Sequence, residues 1–299
     1  MDVQETTLQT TSAPTIPPHA RVVRSRFAWR VMSFLTVFGP GLIVMVADND
    51  AGAVSTYTQA GAQYGLKLVW LMLLLLPVTF FCQEMVVRLG IATGRGHAAM
   101  IYQRFGKWWG RFSLWDLELV NFLTLVTEFA AIDLALSKVG VPGIISVPFA
   151  AVGLILMVVT GSYLRWERIS VALCFLNLGW IAFAIMARPG FGNVFANMVT
   201  PQIPAGGITG SLVFLVIAIV GTTVAPWQLF FQQSCVADKR LRFKDLNRER
   251  LDTFLGAAFT IGNAACMMIV GNLLHQRGIE YTDPAQMAGV LGPIMGPVV

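Results

Sequence analysis

The chain has 299 residues, of which 12% are charged and 56% hydrophobic, with a mean hydropathy of +0.66 and a formal net charge of +5. A soluble globular domain carries about twice that share of charge, so a disordered chain, a basic nucleic-acid binder and an ordinary cytosolic enzyme are all excluded. The basic residues fall in short bursts between long apolar runs, the pattern of a polytopic membrane protein whose partner is the lipid bilayer.

Residues 1–20 are rich in Thr, Ser and Pro and lack an apolar core, so residues 1–30 are expected to form a disordered cytoplasmic tail rather than a signal peptide. Crossing about 30 Å of hydrocarbon takes about 20 helical residues. Seven apolar segments meet that length, at approximately 31–57, 66–88, 113–137, 142–162, 169–187, 208–234 and 251–273. With the N-terminus inside, the cytoplasmic regions hold the basic residues from Arg21 to Arg30, from Arg88 to Arg111, Arg165 and Arg168, and those from Lys239 to Arg250. Only Lys67, Lys138, Arg188 and Arg277 are left outside, a division of the 21 that obeys the positive-inside rule. The expected location is a multi-pass protein of the plasma membrane.

The four cysteines (Cys82, Cys174, Cys235, Cys266) lie singly along or beside apolar segments, without the spacing of a disulfide framework or a zinc site. The chain stops at Gly296-Pro297-Val298-Val299 after an odd number of spans. We therefore expect an N-terminal part of a longer protein, and no transport by the 299-residue form alone.

Ionisable groups inside spanning segments are costly and mark function by default. The first span carries Ala47-Asp48-Asn49-Asp50-Ala51-Gly52-Ala53. Gly is a poor helix former, and Asn and Asp compete for backbone hydrogen bonds. Either the helix unwinds there, exposing carbonyl oxygens beside a carboxylate, or it ends at Ala47 with both aspartates in water. In the sixth span, Gly221-Thr222-Thr223-Val224-Ala225-Pro226-Trp227-Gln228 places a proline in mid-membrane, as a break or as a simple kink. Gln228, Gln232 and Gln233 continue its polar side.

Two interrupted helices in corresponding positions point to a transporter of inverted five-helix repeats, with its substrate at the midplane between them. Residues 31–187 would then form the first repeat, 188–207 an extracytoplasmic loop, and 208–299 the start of the second repeat. In the third span, Asn121, Thr124 and Glu128 share one face at i, i+3 and i+7, with Asp133 about 140° further round. Glu128 is open to two roles, as a proton or cation relay or as a carboxyl kept neutral by burial. Glu84 lies one turn from Arg88, the spacing of an ion pair.

At these residues the sequence resembles the Nramp family of divalent-metal transporters. The resemblance is carried by Gly39-Pro40-Gly41, Gln59-Ala60-Gly61-Ala62 with Tyr64-Gly65, and Leu89-Gly90-Ile91-Ala92-Thr93-Gly94-Arg95. Asp50-Ala51-Gly52-Ala53 stands where the family has Asp-Pro-Gly-Asn, and Ala225-Pro226-Trp227 where it has Met-Pro-His. It implies an all-α, LeuT-like inverted-repeat fold with broken helices 1 and 6, ending after helix 7. It also implies a metal site at Ala47, Asp50, Ala53, Thr222, Thr223 and Ala225. Asp48, Asn49, Glu128, Trp227, Gln228 and Gln232 would line the cation pathway, with Asp48 near its entrance.

The departures from the family pattern carry the specificity argument. Ala225 replaces the methionine, so no soft thioether is present, and Ala53 and Ala225 both widen the site. Magnesium dehydrates reluctantly and suits a wide oxygen-lined site with one carboxylate. This pattern resembles the Nramp-related branch that moves magnesium and manganese. Leu125, Trp227 and Gln232 stand where coupled members have titrating groups, and none of the three titrates near neutral pH.

The expected function is therefore secondary transport of hydrated Mg2+ and Mn2+ without proton coupling, the cation being cargo and no resident cofactor or obligate protein partner being expected. The alternatives are a proton-coupled Mn2+/Fe2+ transporter with an atypical site, or a seven-helix receptor or channel. Enzymatic chemistry lacks its usual residues, since His19, His97 and His275 lie in the tail and loops and no HExxH or GxSxG motif occurs.

Overall fold

The computed structural model describes residues 47–159 and 175–295, together with Gly41 and Val44. The tail at 1–30, most of the first half of span 1, Arg165, Arg168, Cys174 and the last four residues lie outside the described residues. The described residues belong to one unit, Phe38–Val299. Among them there are helices and turns and no strand, which is how backbone groups are satisfied in lipid.

Gly41, Val44 and Ala47 are helical, the chain then leaves the helix at Asp48–Asp50, and α1 runs from Ala51 to Tyr64. α2 follows at Trp70–Thr93, α3 at His97–Lys138 and α4 at Gly143–Val159. After the segment outside the description come α5 (Leu178–Met186) and α6 (Phe191–Val199). α7 (Gly210–Thr223) and α8 (Pro226–Asp238) share one span, and α9 (Leu246–Arg277) and α10 (Gln286–Met295) complete the order. Among the described residues, four stretches are long and apolar enough to cross a membrane: Trp70–Thr93, His97–Lys138, Gly210–Asp238 and Phe243–Arg277.

The element boundaries differ from the sequence reading in instructive ways. Span 1 continues to Tyr64 rather than ending near residue 57, because Thr56 and Thr58 donate their hydroxyls to the carbonyls of Gly52 and Val54 one turn back and do not stop the helix. The cytoplasmic loop expected around Arg104, Lys107 and Arg111 is helical, and α3 is kinked at Gly106, where φ is 87°. The loop expected at 188–207 contains the amphipathic helix α6. Residues 274–295 hold a second helix, α10, where only a Gly/Pro-rich approach was read.

α1 makes its most extensive packing with α9, and the contact is backbone against backbone. A methyl group added at Gly61 would sit 2.0 Å from the Met268 carbonyl oxygen, and one at Gly271 would sit 2.2 Å from that of Thr58. Small residues permit such approach in membrane bundles. Around this seam Tyr57, Met72, Ile219, Met267, Met268 and Leu274 form the buried core. α3 buries only Gly110, while Trp108 and Trp115 are each 76% exposed. An apolar face of that size is normal against hydrocarbon and abnormal against water.

Two polar ties hold the bundle ends. Glu84 pairs with Arg88 one turn away, as the spacing predicts, and also accepts from Arg250 Nε on α9 at 2.8 Å. At the other end the Tyr281 hydroxyl meets Ser55 Oγ at 3.2 Å and Thr58 Oγ1 at 3.1 Å, fastening the segment after α9 to α1.

Candidate metal site

Both sequence breaks exist, and each has a local cause. Asp50 sits in extended backbone (φ −76°, ψ 179°) and caps α1, its Oδ1 accepting from Ala53 N at 2.7 Å. An aspartate at this cap position is among the strongest N-terminal signals. In span 6, α7 ends at Thr223 and Ala225 is extended (φ −82°, ψ 141°), as the residue before a proline must be. Pro226 then opens α8 at a position where its missing N–H costs nothing.

Each break leaves helix ends whose backbone groups lack intrahelical partners. The last carbonyls of α7 have no intrahelical donors and carry partial negative charge. The amide end of α1 carries the opposite sign, and two carboxylates cover it. Asp50 takes Ala53 N, and Glu128 Oε1 on α3 accepts from Ala51 N at 2.9 Å.

Beside this cap lies an open cavity of about 400 Å³ lined by Ala47, Asp50, Asn121, Thr124, Leu125, Glu128 and Trp227. The three polar residues that the sequence placed on one face of span 3 thus line one cavity together with Asp50. Its polar groups are carboxylate, amide and hydroxyl, with the Trp227 ring as one wall and neither thioether nor imidazole present. Among the described residues, no group of three or more His, Cys, Asp or Glu could hold a metal ion.

The other sequence candidates are placed elsewhere. Ala53 is fully buried inside α1, and Ala225 is buried at the α7–α8 break. Thr222 is half-buried beside that break. Thr223 points into the core, its hydroxyl donating to Ile219 O at 2.6 Å and meeting the Tyr57 hydroxyl at 2.8 Å. Asn49 is half-buried, and its side-chain amide has no partner among the described residues. Gln232 is buried and donates to Thr253 Oγ1 on α9 at 3.0 Å, away from the cavity.

Asp48 is not at an entrance. It is 2% exposed, because the turn that frees Asp50 toward the cavity directs the residue two positions earlier into the bundle. There Gln228 Nε2 donates to Asp48 Oδ1, and Gln83 Nε2 donates to Gln228 Oε1 at 2.8 Å. Gln83 escaped the sequence reading, although Thr79 and Gln83 at i, i+4 in a largely apolar span were the available signal.

A family model described as natural resistance-associated macrophage protein-like, Nramp, matches residues 41–299. The divalent metal cation transporter MntH of Deinococcus radiodurans is 25% identical over 285 residues, covering 90% of this chain and 62% of that protein. The MntH of Brucella suis is 27% identical, with 94% of this chain and 64% of that protein covered. The chain thus spans about three-fifths of the length of these curated relatives. Among solved structures, the Eremococcus coleocola manganese transporter aligns with a TM-score of 0.70 at 20% identity, covering 85% of this chain and 54% of that one. That likeness carries the LeuT-like arrangement of broken helices seen here. With the family model matched along all but the first 40 residues, this chain belongs to the Nramp family.

Proposed function

We propose that the protein is a secondary transporter of divalent cations that moves hydrated Mg2+ and Mn2+ across the plasma membrane by alternating access, with its N-terminus cytoplasmic and without proton coupling. The observation that carries the reading is the cavity chemistry, with Asp50 and Glu128 beside oxygen donors and no soft ligand. A dication with six waters at about 30 Å³ each occupies about 180 Å³, which the cavity of about 400 Å³ accommodates. Magnesium keeps several waters and binds through one or two carboxylates, so this donor set suits it. A thioether would favour softer transition metals, and Ala225 supplies none.

A membrane potential, negative inside, drives a doubly charged ion inward with about 4.6 kcal/mol per 100 mV, so uptake needs no proton. In this reading Asp50 holds the hydrated ion, and Glu128 and Thr124 meet its outer waters. A proton-coupled Mn2+ transporter is the second reading, favoured by the place of Glu128 on the cavity wall.

One experiment separates them: liposomes carrying the full-length parent protein, loaded with dyes for Mg2+, Mn2+ and pH, beside an Asp50→Ala variant. Mg2+ entry without acidification, abolished by the variant, is the expected result. Mn2+ entry with acidification and without Mg2+ entry would refute the uncoupled reading.

A further inference from the structure

The cavity does not use Asp48, and the bundle gives this carboxylate no counter-charge. Its one hydrogen-bond partner among the described residues is Gln228, and its Oδ2 is buried without a donor. The chain of amides behind it runs in one direction. Gln83 donates to Gln228, and Gln228 donates to Asp48, so one N–H of each amide is directed along the chain toward the carboxylate. Three oxygens able to face a cation are left without a partner: Asp48 Oδ2, Gln83 Oε1 and, one turn along the same face of α2, the Thr79 hydroxyl. Gln83, Gln228 and Thr79 are fully buried and Asp48 nearly so. A buried carboxylate without a partner is strongly unfavourable, and orphaned oxygens call for a cation or a donor.

We propose that Asp48 is the carboxylate of a second, inner cation site, supported by the amide of Gln83, which a partly dehydrated hard divalent cation occupies after leaving Asp50. The proposal rests on the reading of Asp50 as the carboxylate of the outer site. The order of residues fits a path. Along the first span Asp48 precedes Asp50, along α2 the chain runs from Thr79 to Gln83 toward Arg88, and along α8 Gln228 follows Ala225. Asp48 is two residues from the cavity residue Asp50, and Gln228 follows the cavity residue Trp227, so the two sites adjoin. The outer site is wide and wet, while the inner one is enclosed and built from side-chain oxygens. A cation moving from the first to the second exchanges water for protein oxygen, which hard cations accept from carboxylate and carbonyl groups.

The test is Mn2+ binding to the purified protein in nanodiscs, read from the loss of the free-ion paramagnetic resonance signal. Asp50→Asn is expected to keep residual binding, weakened roughly 10- to 100-fold, and the double variant Asp48→Asn/Asp50→Asn to bind no Mn2+. Asp48→Asn retains an oxygen for Gln228, so the fold is preserved while the charge is removed. Gln83→Leu in the Asp50→Asn background is expected to weaken the residual binding by about ten-fold, as loss of a supporting group does. Residual binding that is equal in the single and double variants would overturn the inner site. Complete loss in Asp50→Asn alone would also overturn it and leave the outer site standing. Binding of wild-type strength in both variants would overturn the outer reading as well.

Discussion

The α1–α9 seam makes a prediction that depends on distance alone. Gly271→Ala places a methyl carbon 2.2 Å from the Thr58 carbonyl oxygen, where an ordinary contact is above about 3.4 Å, so the helices must part by about 1 Å. The obstacle is backbone, and a rotamer change cannot relieve it. Overpacking of this kind costs about 1–3 kcal/mol. The same substitution at Gly262, exposed on the same helix with nothing within 4 Å, is expected to be neutral or to stabilise by up to about 1 kcal/mol through helix propensity. In chains somewhat smaller than this one, each kcal/mol moves the unfolding midpoint by about 2–4 °C. Thermal unfolding of the two variants in the same detergent, followed by tryptophan fluorescence, is the assay. Gly271→Ala should fall below the wild type and Gly262→Ala should not. Equal midpoints for the two would refute the claim that the seam is in close backbone contact. Because Asp50 caps α1, parting the seam should also weaken Mn2+ binding in Gly271→Ala alone.

Three further outcomes follow from particular contacts. Tyr57→Phe removes one partner of Thr223 but leaves its bond to Ile219, so a loss of about 1 kcal/mol in stability is expected with Mn2+ affinity unchanged. Glu84→Gln leaves the half-exposed Arg88 and Arg250 without their shared buried carboxylate, and should lower the unfolding midpoint. Burial pushes the Tyr281 hydroxyl above its ordinary range of about 10, so the folded state holds this proton more tightly than the unfolded one. Stability is therefore full below that value and falls as pH rises through it, and a Tyr281→Phe variant should lack this part of the alkaline decline in its unfolding midpoint.

Much of the fold was legible because lipid leaves the chain few choices. Length and hydropathy locate helices, and Asp50 and Pro226 announce breaks whose backbone angles the cap and pre-proline rules dictate. The polar stripe Asn121, Thr124, Glu128 was legible for the same reason, since helical periodicity fixes which residues share a face. The inward turn of Asp48 was not. Two aspartates separated by one residue look alike in sequence, and only the turn between the helical segments decides which faces the cavity and which the core. Thr223 was misleading in a similar way, because a hydroxyl beside a break serves a ligand or a neighbouring helix equally well, and here Tyr57 takes it. Tertiary partners such as Gln83 and Arg250, more than 100 residues from the groups they meet, leave no local trace.

The amide end of α1 raises a problem for any cation site, because its partial positive charge faces the space where the ion would rest. Asp50 and Glu128 answer it jointly, one from within the helix cap and one from α3. Glu128 therefore has two separable duties, as an acceptor that fixes Ala51 and as a negative charge on the cavity wall. Glu128→Gln keeps an acceptor oxygen and removes the charge, whereas Glu128→Ala removes both. The first should retain wild-type stability while weakening Mn2+ binding by roughly ten-fold, the scale of a supporting group. The second should lose binding and, with Ala51 N left unmatched, about 1–3 kcal/mol of stability. If Glu128→Gln bound Mn2+ as the wild type does, the charge would be irrelevant to the ion. Glu128 would then be a tether, and Asp50 alone would have to offset the helix end.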